Sequence, residues 1–233
     1  HAGTKSPWDD YLCRHFSMKP DEVKEVIATN YTRDYRFGDA LQWLQQIKDP
    51  ELLKLELNPF GDPLLDRSDT VYTFDKGYFS KPAFIREMHR LQRLDQQGKA
   101  SAKELYKLAN GYYNITFYGR AWQTVKFYRP GTQGFDITPS ATAFEREYYC
   151  CYTAERCFRK AMQAGTDNNF RARCLFMMAK CAQKQAVNIV DSKDSFFHSK
   201  YFPRLVKEYG NTPFYKEAFS TCSYLRDFVK KNK

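Results

Sequence analysis

Apolar and small residues recur at identical offsets in two stretches of this chain. Each stretch has a large and a small apolar residue, an aromatic residue three positions on, a short turn, and then aromatic–Gly–x–Ala with two more apolar positions. The first copy consists of Ile27, Ala28, Tyr31, Phe37, Gly38, Ala40, Leu41 and Leu44, and the second of Leu108, Ala109, Tyr112, Tyr118, Gly119, Ala121, Trp122 and Val125. Apolar positions three and four residues apart lie on one face of a helix. Each copy therefore predicts two antiparallel helices that pack through small residues.

The same periodicity predicts helix along most of the chain. The predicted helices cover residues 21–31, 37–47, 51–57, 81–97, 101–114, 119–128, 141–164, 169–188, 195–209 and 214–230. Ser101 followed by Glu104 forms a capping-box pattern at the start of one of them. Residues 58–80 interrupt the periodicity with proline, glycine and aspartate, which predicts an irregular loop with a strand or two near 71–74. We expect this loop to pack across the helices or to serve as a binding loop.

These elements predict an all-α fold in which antiparallel helix pairs are stacked, with one irregular loop insertion. Residues 130–134 have the composition of a linker and are the expected seam between two parts. We predict an N-terminal segment, residues 1–100, that contains one helix pair and the long loop. We predict a C-terminal helical array, residues 101–233, that ends in a capping helix.

The helix pairs resemble tetratricopeptide repeats. The best copy runs from Ala102 to Tyr128, where Tyr128 replaces the last alanine of the motif, and the first copy departs from the motif at Lys24. The matching positions are Leu105, Leu108, Ala109, Tyr112, Ala121 and Val125 in the best copy, Ile27, Ala28, Tyr31, Ala40 and Leu44 in the first, and Ala154, Phe158, Ala161, Leu175, Met178, Ala179 and Ala182 further on. The resemblance implies a right-handed superhelix that scaffolds other proteins, with a partner segment in its concave face.

A second resemblance concerns location. Residues 208–218 are similar to the junction between repeats in bacterial envelope tetratricopeptide proteins, among them lipoproteins that help assemble outer-membrane proteins; Gly210 replaces the first proline of that junction. Residues 58–60 and 108–114 are similar to parts of large bacterial envelope proteins. These likenesses imply a C-terminal piece of a larger protein in the bacterial cell envelope or periplasm, with the cytoplasm as the open alternative.

In this family the inner surface comes from the first helix of each repeat, so the resemblance also implies a set of site residues. They are Lys103, Tyr106, Asn110, Tyr113 and Asn114 from one copy and Arg173, Phe176, Lys180, Gln183 and Lys184 from another. Four of them, at 103, 110, 173 and 180, resemble the carboxylate clamp of chaperone-binding members. Such a basic, aromatic face suits an acidic or C-terminal peptide. The alternative is that these are ordinary exposed polar residues.

The charge of the chain bears on the partner. The formal net charge is +10 and the pI about 9.2, which favours acidic proteins, nucleic acid or anionic membranes as partners. The lysines and arginines are spread along the whole chain, so a solvated basic surface is the simpler explanation. No apolar run approaches the ~18–20 residues of a membrane span. We expect a protein or peptide partner, no nucleic acid and no transmembrane segment in this chain.

Signals of chemistry are absent from the sequence. It contains no phosphate-binding loop, no nucleophile elbow and no His-Glu-x-x-His motif, and its four histidines are far apart. Asp62, Asp66, Asp69 and Asp75 lack the spacing of a calcium loop. Six of the seven cysteines fall in predicted helices and are expected in the core, with a disulfide between facing helices as the alternative. We therefore expect no catalytic residue, no metal and no cofactor.

Two other functions remain open at this point. The basic charge and the aromatic content are also typical of a helical nucleic-acid-binding module. Alternatively, a helical enzyme or a sugar-binding protein would use the loop at 58–80 and a pocket lined by Trp43, Trp122 or Tyr78.

Overall fold

A computed structural model describes residues 6–15, 18–62, 79–129, 131, 137–189 and 200–232. In these residues the chain is mostly helical, which confirms the all-α class. The helices are α1 (Pro7–His15), α2 (Pro20–Arg33), α3 (Phe37–Leu44), α4 (Lys81–Gln96), α5 (Ala102–Asn114), α6 (Ala143–Cys150), α7 (Tyr152–Ala164), α8 (Asn168–Ile189), α9 (Phe202–Tyr209), α10 (Pro213–Thr221) and α11 (Ser223–Lys231). Short 3₁₀ turns cover Glu51–Leu53 and Trp122–Thr124. Strands β1 (Lys54–Leu55) and β2 (Phe79–Ser80) pair antiparallel.

Local sequence signals place several helix starts. The capping box at α5 is confirmed, because Ser101 Oγ accepts the Glu104 N–H at 3.3 Å and Glu104 Oε2 accepts the Ser101 N–H at 3.0 Å. Thr142 and Glu145 make the same reciprocal bonds at α6. Each cap satisfies N–H groups that have no partner inside the helix. Helix α5 therefore begins at a defined residue, which sets the positions of Asn110 and Asn114 near its other end.

The helices pack in a series. α2 packs on α3, α3 on α4 and α4 on α5; α5 then packs on α7, and α7 on α8, which also carries α9 and α10. One hydrophobic cluster runs through both halves of the chain. The small residues of the repeated spacing lie deep within it, since Ala28, Ala40, Ala109 and Ala121 are all fully buried. The packing role of these positions is confirmed.

The prediction of a second helix at 119–128 is wrong. The chain there forms successive tight turns and the 3₁₀ turn Trp122–Thr124, in which Thr124 Oγ1 bonds to the carbonyl of Ala121 at 2.7 Å. Asn114 holds this stretch in turns, because its carbonyl accepts the N–H of Ala121 at 2.8 Å and its Oδ1 accepts the N–H of Arg120 at 3.3 Å. The partner of α5 is instead α7, which follows after a detour through α6.

Two other predicted helices are each divided in two. The helix predicted at 141–164 is broken at Cys151, whose left-handed backbone (φ +56°) separates α6 from α7. Glu147 stabilises the break, because its Oε2 accepts the N–H of Thr153 at 2.9 Å. The helix predicted at 214–230 is broken at Cys222, which has an extended backbone. The strand predicted near 71–74 and the start of the helix predicted at 195–209 lie outside the described residues.

The burial predicted for the cysteines is confirmed where their side chains are described. Cys150, Cys151, Cys157, Cys174 and Cys181 are buried and Cys222 is partly buried, and all six are free thiols. In the part of the chain that the structure describes, no helix has both the length and the apolar character needed to cross a membrane.

Candidate peptide-binding face

Helices α5 and α8 both pack on α7, and long side chains reach between them. Nζ of Lys180 on α8 lies 5.7 Å from the centroid of the Tyr113 ring on α5. Nζ of Lys184 lies 4.2 Å from the ring of Tyr118, just beyond the end of α5. Both lysines are buried, where a cation over an aromatic ring is more strongly stabilised than at an exposed site. We call the surface that the two helices share the α5–α8 face.

A tight turn of the chain itself, from Asn58 to Asp62, covers the α5–α8 face. Pro59 and Gly61 occupy the second and fourth positions, which type I turns favour for these residues. The carbonyl of Asn58 accepts the N–H of Gly61 at 3.1 Å, and its Oδ1 accepts the N–H of Phe60 at 3.0 Å. The turn is thus closed by its own hydrogen bonds, and the carbonyl groups of Pro59, Phe60 and Gly61 accept from donors outside it. We call these residues the Asn58–Asp62 turn.

Asn114 holds the backbone of the turn. Its side chain is fully buried, and Nδ2 donates to the carbonyl of Pro59 at 3.0 Å and to that of Gly61 at 2.9 Å. Its Oδ1 accepts the N–H of Arg120 at 3.3 Å. Leaving a buried carbonyl unpaired costs about 1–3 kcal/mol, so this amide group stabilises both the turn and the chain beyond α5.

Asn110, one helical turn before Asn114, makes fewer hydrogen bonds to the turn. Its Nδ2 donates to the carbonyl of Phe60 at 3.4 Å, near the upper limit for a hydrogen bond. Its Oδ1 is buried and has no hydrogen-bond partner among the described residues. The α5–α8 face therefore has one buried acceptor that the Asn58–Asp62 turn leaves unused.

A carboxylate-binding pair lies at the end of the turn. Oδ2 of Asp62 accepts the hydroxyl of Tyr106 at 3.0 Å and Nη1 of Arg173 at 2.8 Å. The Arg173 guanidinium also lies 5.0 Å from the centroid of the Phe214 ring, which fixes its orientation. Burial, assisted by the Asp62 charge, raises the pKa of Tyr106 well above its usual value, so its hydroxyl remains a donor. Asp62 Oδ1 is buried without a partner in the described part of the chain.

An aromatic subsite receives the ring of Phe60. That ring lies edge-on to Phe84, with centroids 5.0 Å apart, and Nζ of Lys107 lies 4.7 Å from its centroid. Gly111 provides the space, because a Cβ there would lie 2.2 Å from Met88 Sδ and 3.1 Å from the Phe60 ring. The face therefore binds both the backbone of the turn and two of its side chains.

The structure brings most of the predicted site residues together. Tyr106, Asn110, Asn114 and Arg173 contact the turn, and Tyr113, Lys180 and Lys184 form the cation–ring contacts between α5 and α8. Lys103 is exposed and Gln183 is partly buried. Phe176 faces elsewhere, because its ring packs against Phe202 and Phe214 in the core. The use of these residues for a partner stays a prediction.

Sequence reasoning did not identify the residues that occupy the face. Phe60 and Asp62 fall in the predicted irregular loop, and the repeat pattern assigns Lys107 no role. A signal for part of this was available, because Asn-Pro-Phe-Gly has the residue preferences of a type I turn. Nothing in the sequence shows on which helices that turn rests, since about fifty positions separate it from Asn110 and Asn114.

Metal-ligand clusters and cysteine thiols are the remaining features of the described residues that bear on chemistry. They contain no group of three or more His, Cys, Asp and Glu side chains that could hold a metal ion. Burial raises the pKa of Cys150 to about 11 and of Cys157 and Cys174 to about 12, so these thiols stay protonated and unreactive at neutral pH. Trp43 and Trp122 are partly buried against the core. Tyr78, Asp66, Asp69 and Asp75 lie outside the described residues.

Comparison with known proteins gave no relative: no protein-family model, no curated protein and no solved structure matches this chain. The likeness to tetratricopeptide repeats therefore depends on the quoted residues alone.

Proposed function

We propose that this chain is a non-enzymatic scaffold module that binds a peptide segment of a partner protein on the α5–α8 face. In this proposal its helix pairs form a tetratricopeptide-like, right-handed stack, with α5 and α7 as one pair and α8 as the first helix of the next. The partner is a protein whose bound segment carries a carboxylate. The likeness of residues 208–218 to envelope repeat junctions supports a place in the bacterial cell envelope.

One observation carries this proposal: the face already holds a peptide segment by chemistry suited to any peptide. Asn110 and Asn114 donate to three consecutive backbone carbonyls, which every peptide has. Tyr106 and Arg173 together bind a carboxylate, and a hydrogen bond to a charged group is worth about twice a neutral one. Backbone contacts combined with one charged anchor are the usual means of peptide recognition.

The proposal is tested with a chain in which the turn is weakened by Phe60→Ala and Asp62→Asn. A fluorescein-labelled peptide with the sequence of residues 56–62 serves as the probe, and fluorescence anisotropy measures its binding. We expect saturable binding with a Kd in the micromolar range, since the face then lacks its own side-chain anchors. Adding Arg173→Glu should abolish it, whereas adding Arg204→Glu, at an exposed position of α9, should not. Absence of saturable binding by the weakened, folded chain would overturn the proposal.

A second candidate function has one observation in its favour. Phe127 and Tyr128 are 56% and 73% exposed, and they follow Lys126, which lies over the Phe144 and Tyr148 rings. Exposed rings beside a cation suit the stacking of single-stranded nucleic acid. We expect a labelled oligonucleotide to bind at 50 mM salt and to be released at 200 mM. Equal binding by the Phe127→Ala/Tyr128→Ala chain, or none at low salt, would exclude this function.

A further inference from the structure

We propose that the Asn58–Asp62 turn is an intramolecular copy of the partner's motif, and that a partner binds by displacing it. The partner segment is then a tight turn with an aromatic residue followed, two positions later, by a carboxylate. This inference rests on the proposed function, because it assigns the partner and the regulation of the same α5–α8 face.

The division of contacts within the turn identifies the motif. The bonds from Asn110 and Asn114 go to backbone carbonyls and select for a turn rather than for a sequence. Among the described contacts, selection by side chain comes from the Phe60 ring between Phe84 and Lys107 and from the Asp62 carboxylate on Tyr106 and Arg173. Gly111 leaves room for a ring at the first point.

Two features make the turn a ligand that can be replaced. Buried acceptors remain without partners on both sides of the contact, Oδ1 of Asn110 on the face and Oδ1 of Asp62 on the turn. The chain before the turn has an anchor of its own, because strand β1 pairs with β2 and both Leu55 and Leu57 are buried. The turn can therefore leave the face while the β1–β2 pair stays in place.

Occupation by the chain's own turn controls the affinity for a partner. A segment tethered this closely has an effective concentration of the order of millimolar. When the free face is only fractionally populated, the apparent Kd for an external peptide rises by the inverse of that fraction. If the turn occupies nine tenths of the molecules or more, the Kd of the natural chain is about tenfold or more above that of a chain with an open face.

The test compares the natural chain with the Phe60→Ala/Asp62→Asn chain, using the same labelled peptide of residues 56–62. We expect the weakened chain to bind it at least about tenfold more tightly. Two altered peptides, one with Asp62→Asn and one with Phe60→Ala, should each bind about tenfold more weakly than the unaltered probe. Equal affinity of the natural and weakened chains would overturn the inference and leave the proposed function standing, whereas binding by neither chain would overturn both.

A second measurement avoids the variant altogether. Hydrogen–deuterium exchange of the natural chain is followed over residues 56–62 with and without millimolar unlabelled peptide. Displacement removes the contacts that keep the turn closed, so the bonds from the N–H groups of Phe60 and Gly61 to Asn58 should open more often and exchange should accelerate when the peptide is added. Protection that does not change while the peptide binds would show that the partner binds beside the turn, and the inference would be wrong.

Discussion

In the first copy of the repeated spacing the chain leaves α2 through Tyr35 and enters α3 at Phe37. In the second copy it leaves α5 through a series of tight turns, and no α-helix follows at the equivalent position. Both copies nevertheless bury the alanine at the equivalent position, since Ala40 and Ala121 are each 0% exposed. The shared spacing thus records which positions are buried, and the residues between those positions decide whether a helix forms.

The turn of the first copy is a Schellman motif. The N–H of Arg36 bonds to the carbonyl of Tyr31 at 2.9 Å, and that of Tyr35 to the carbonyl of Thr32 at 3.0 Å. Tyr35 has the left-handed backbone (φ +57°) that this motif requires and that glycine usually supplies. The cost of that backbone, roughly 1–2 kcal/mol, is offset by its ring, which lies edge-on to Tyr112 at 4.8 Å.

The turns of the second copy are built around Asn114. The N–H of Ala121 bonds to the carbonyl of Asn114 at 2.8 Å, while Phe117 donates its N–H to the carbonyl of Tyr148 at 3.0 Å. The chain is therefore drawn toward α6 before it returns to α5. This path leaves the place beside α5 open for α7, and it leaves the Asn114 side chain free to bind the Asn58–Asp62 turn.

The largest expected difference between the copies concerns their equivalent glycines. A Cβ at Gly119 would lie 2.2 Å from the Cα and carbonyl oxygen of Asn114, whereas a Cβ at Gly38 would lie 3.1 Å from the movable imidazole of His89. We expect Gly119→Ala to lower the free energy of unfolding by about 3 kcal/mol. Gly38→Ala should change it by less than about 1 kcal/mol, because alanine also favours the helix. Urea denaturation measures both, and equal losses would contradict the different turn geometries.

The second prediction concerns residues 33 and 114, which are also equivalent. Asn114→Ala removes three hydrogen bonds and leaves the carbonyls of Pro59 and Gly61 unpaired, so we expect a loss of about 2–3 kcal/mol. Arg33→Ala removes a bond to the Val125 carbonyl at a partly exposed site and an exposed bond to Asn30 Oδ1, and should cost about 1 kcal/mol. Thermal denaturation of the two chains ranks the losses. A smaller loss for Asn114→Ala would mean that the turn adds little to stability.

Much of the helical framework could be predicted from sequence because its signals are local. The Ser101 and Glu104 cap and the apolar periodicity of α4, α5 and α8 are of this kind. The break at Cys151 could not be predicted, since a non-glycine residue in left-handed backbone depends on tertiary contacts. The contact between Asp62 and Arg173 depends in the same way on the fold. The sequence therefore predicts the residues that α5 and α8 contribute to the candidate site, but it does not predict the turn that covers them.

The copies also differ in how their first helices begin. Substitutions at the two helix starts should change the free energy of unfolding by smaller amounts, with opposite signs in the two copies. Ser101 caps α5, whereas Lys19 precedes α2 and offers no side-chain acceptor to the N–H groups of its first turn. We expect Ser101→Ala to cost about 1 kcal/mol and Lys19→Ser to add about 0.5 kcal/mol. Thermal denaturation of both variants tests the pair. A stabilising Ser101→Ala would show that the cap is not used.

The smallest effect concerns acid. The Lys24 side chain and the N–H groups of Lys48 and Asp49 lower the pKa of Asp21 to about 2, while the Ser101 N–H and Arg90 lower that of Glu104 to about 2. Because both folded-state pKa values lie below those of the unfolded chain, the stabilisation is complete above about pH 5 and is lost as the pH falls toward 2.

We therefore expect Asp21→Asn and Glu104→Gln each to flatten the fall in melting temperature between pH 5 and pH 2. The two groups belong to different copies and share no partner, so their effects should add in the double variant. The carboxylate of Asp21 joins the start of α2 to the chain after α3, whereas that of Glu104 closes a cap and reaches Arg90 of α4. A double variant with the acid response of the natural chain would mean that neither carboxylate keeps its partners in solution, and that other groups hold both copies together.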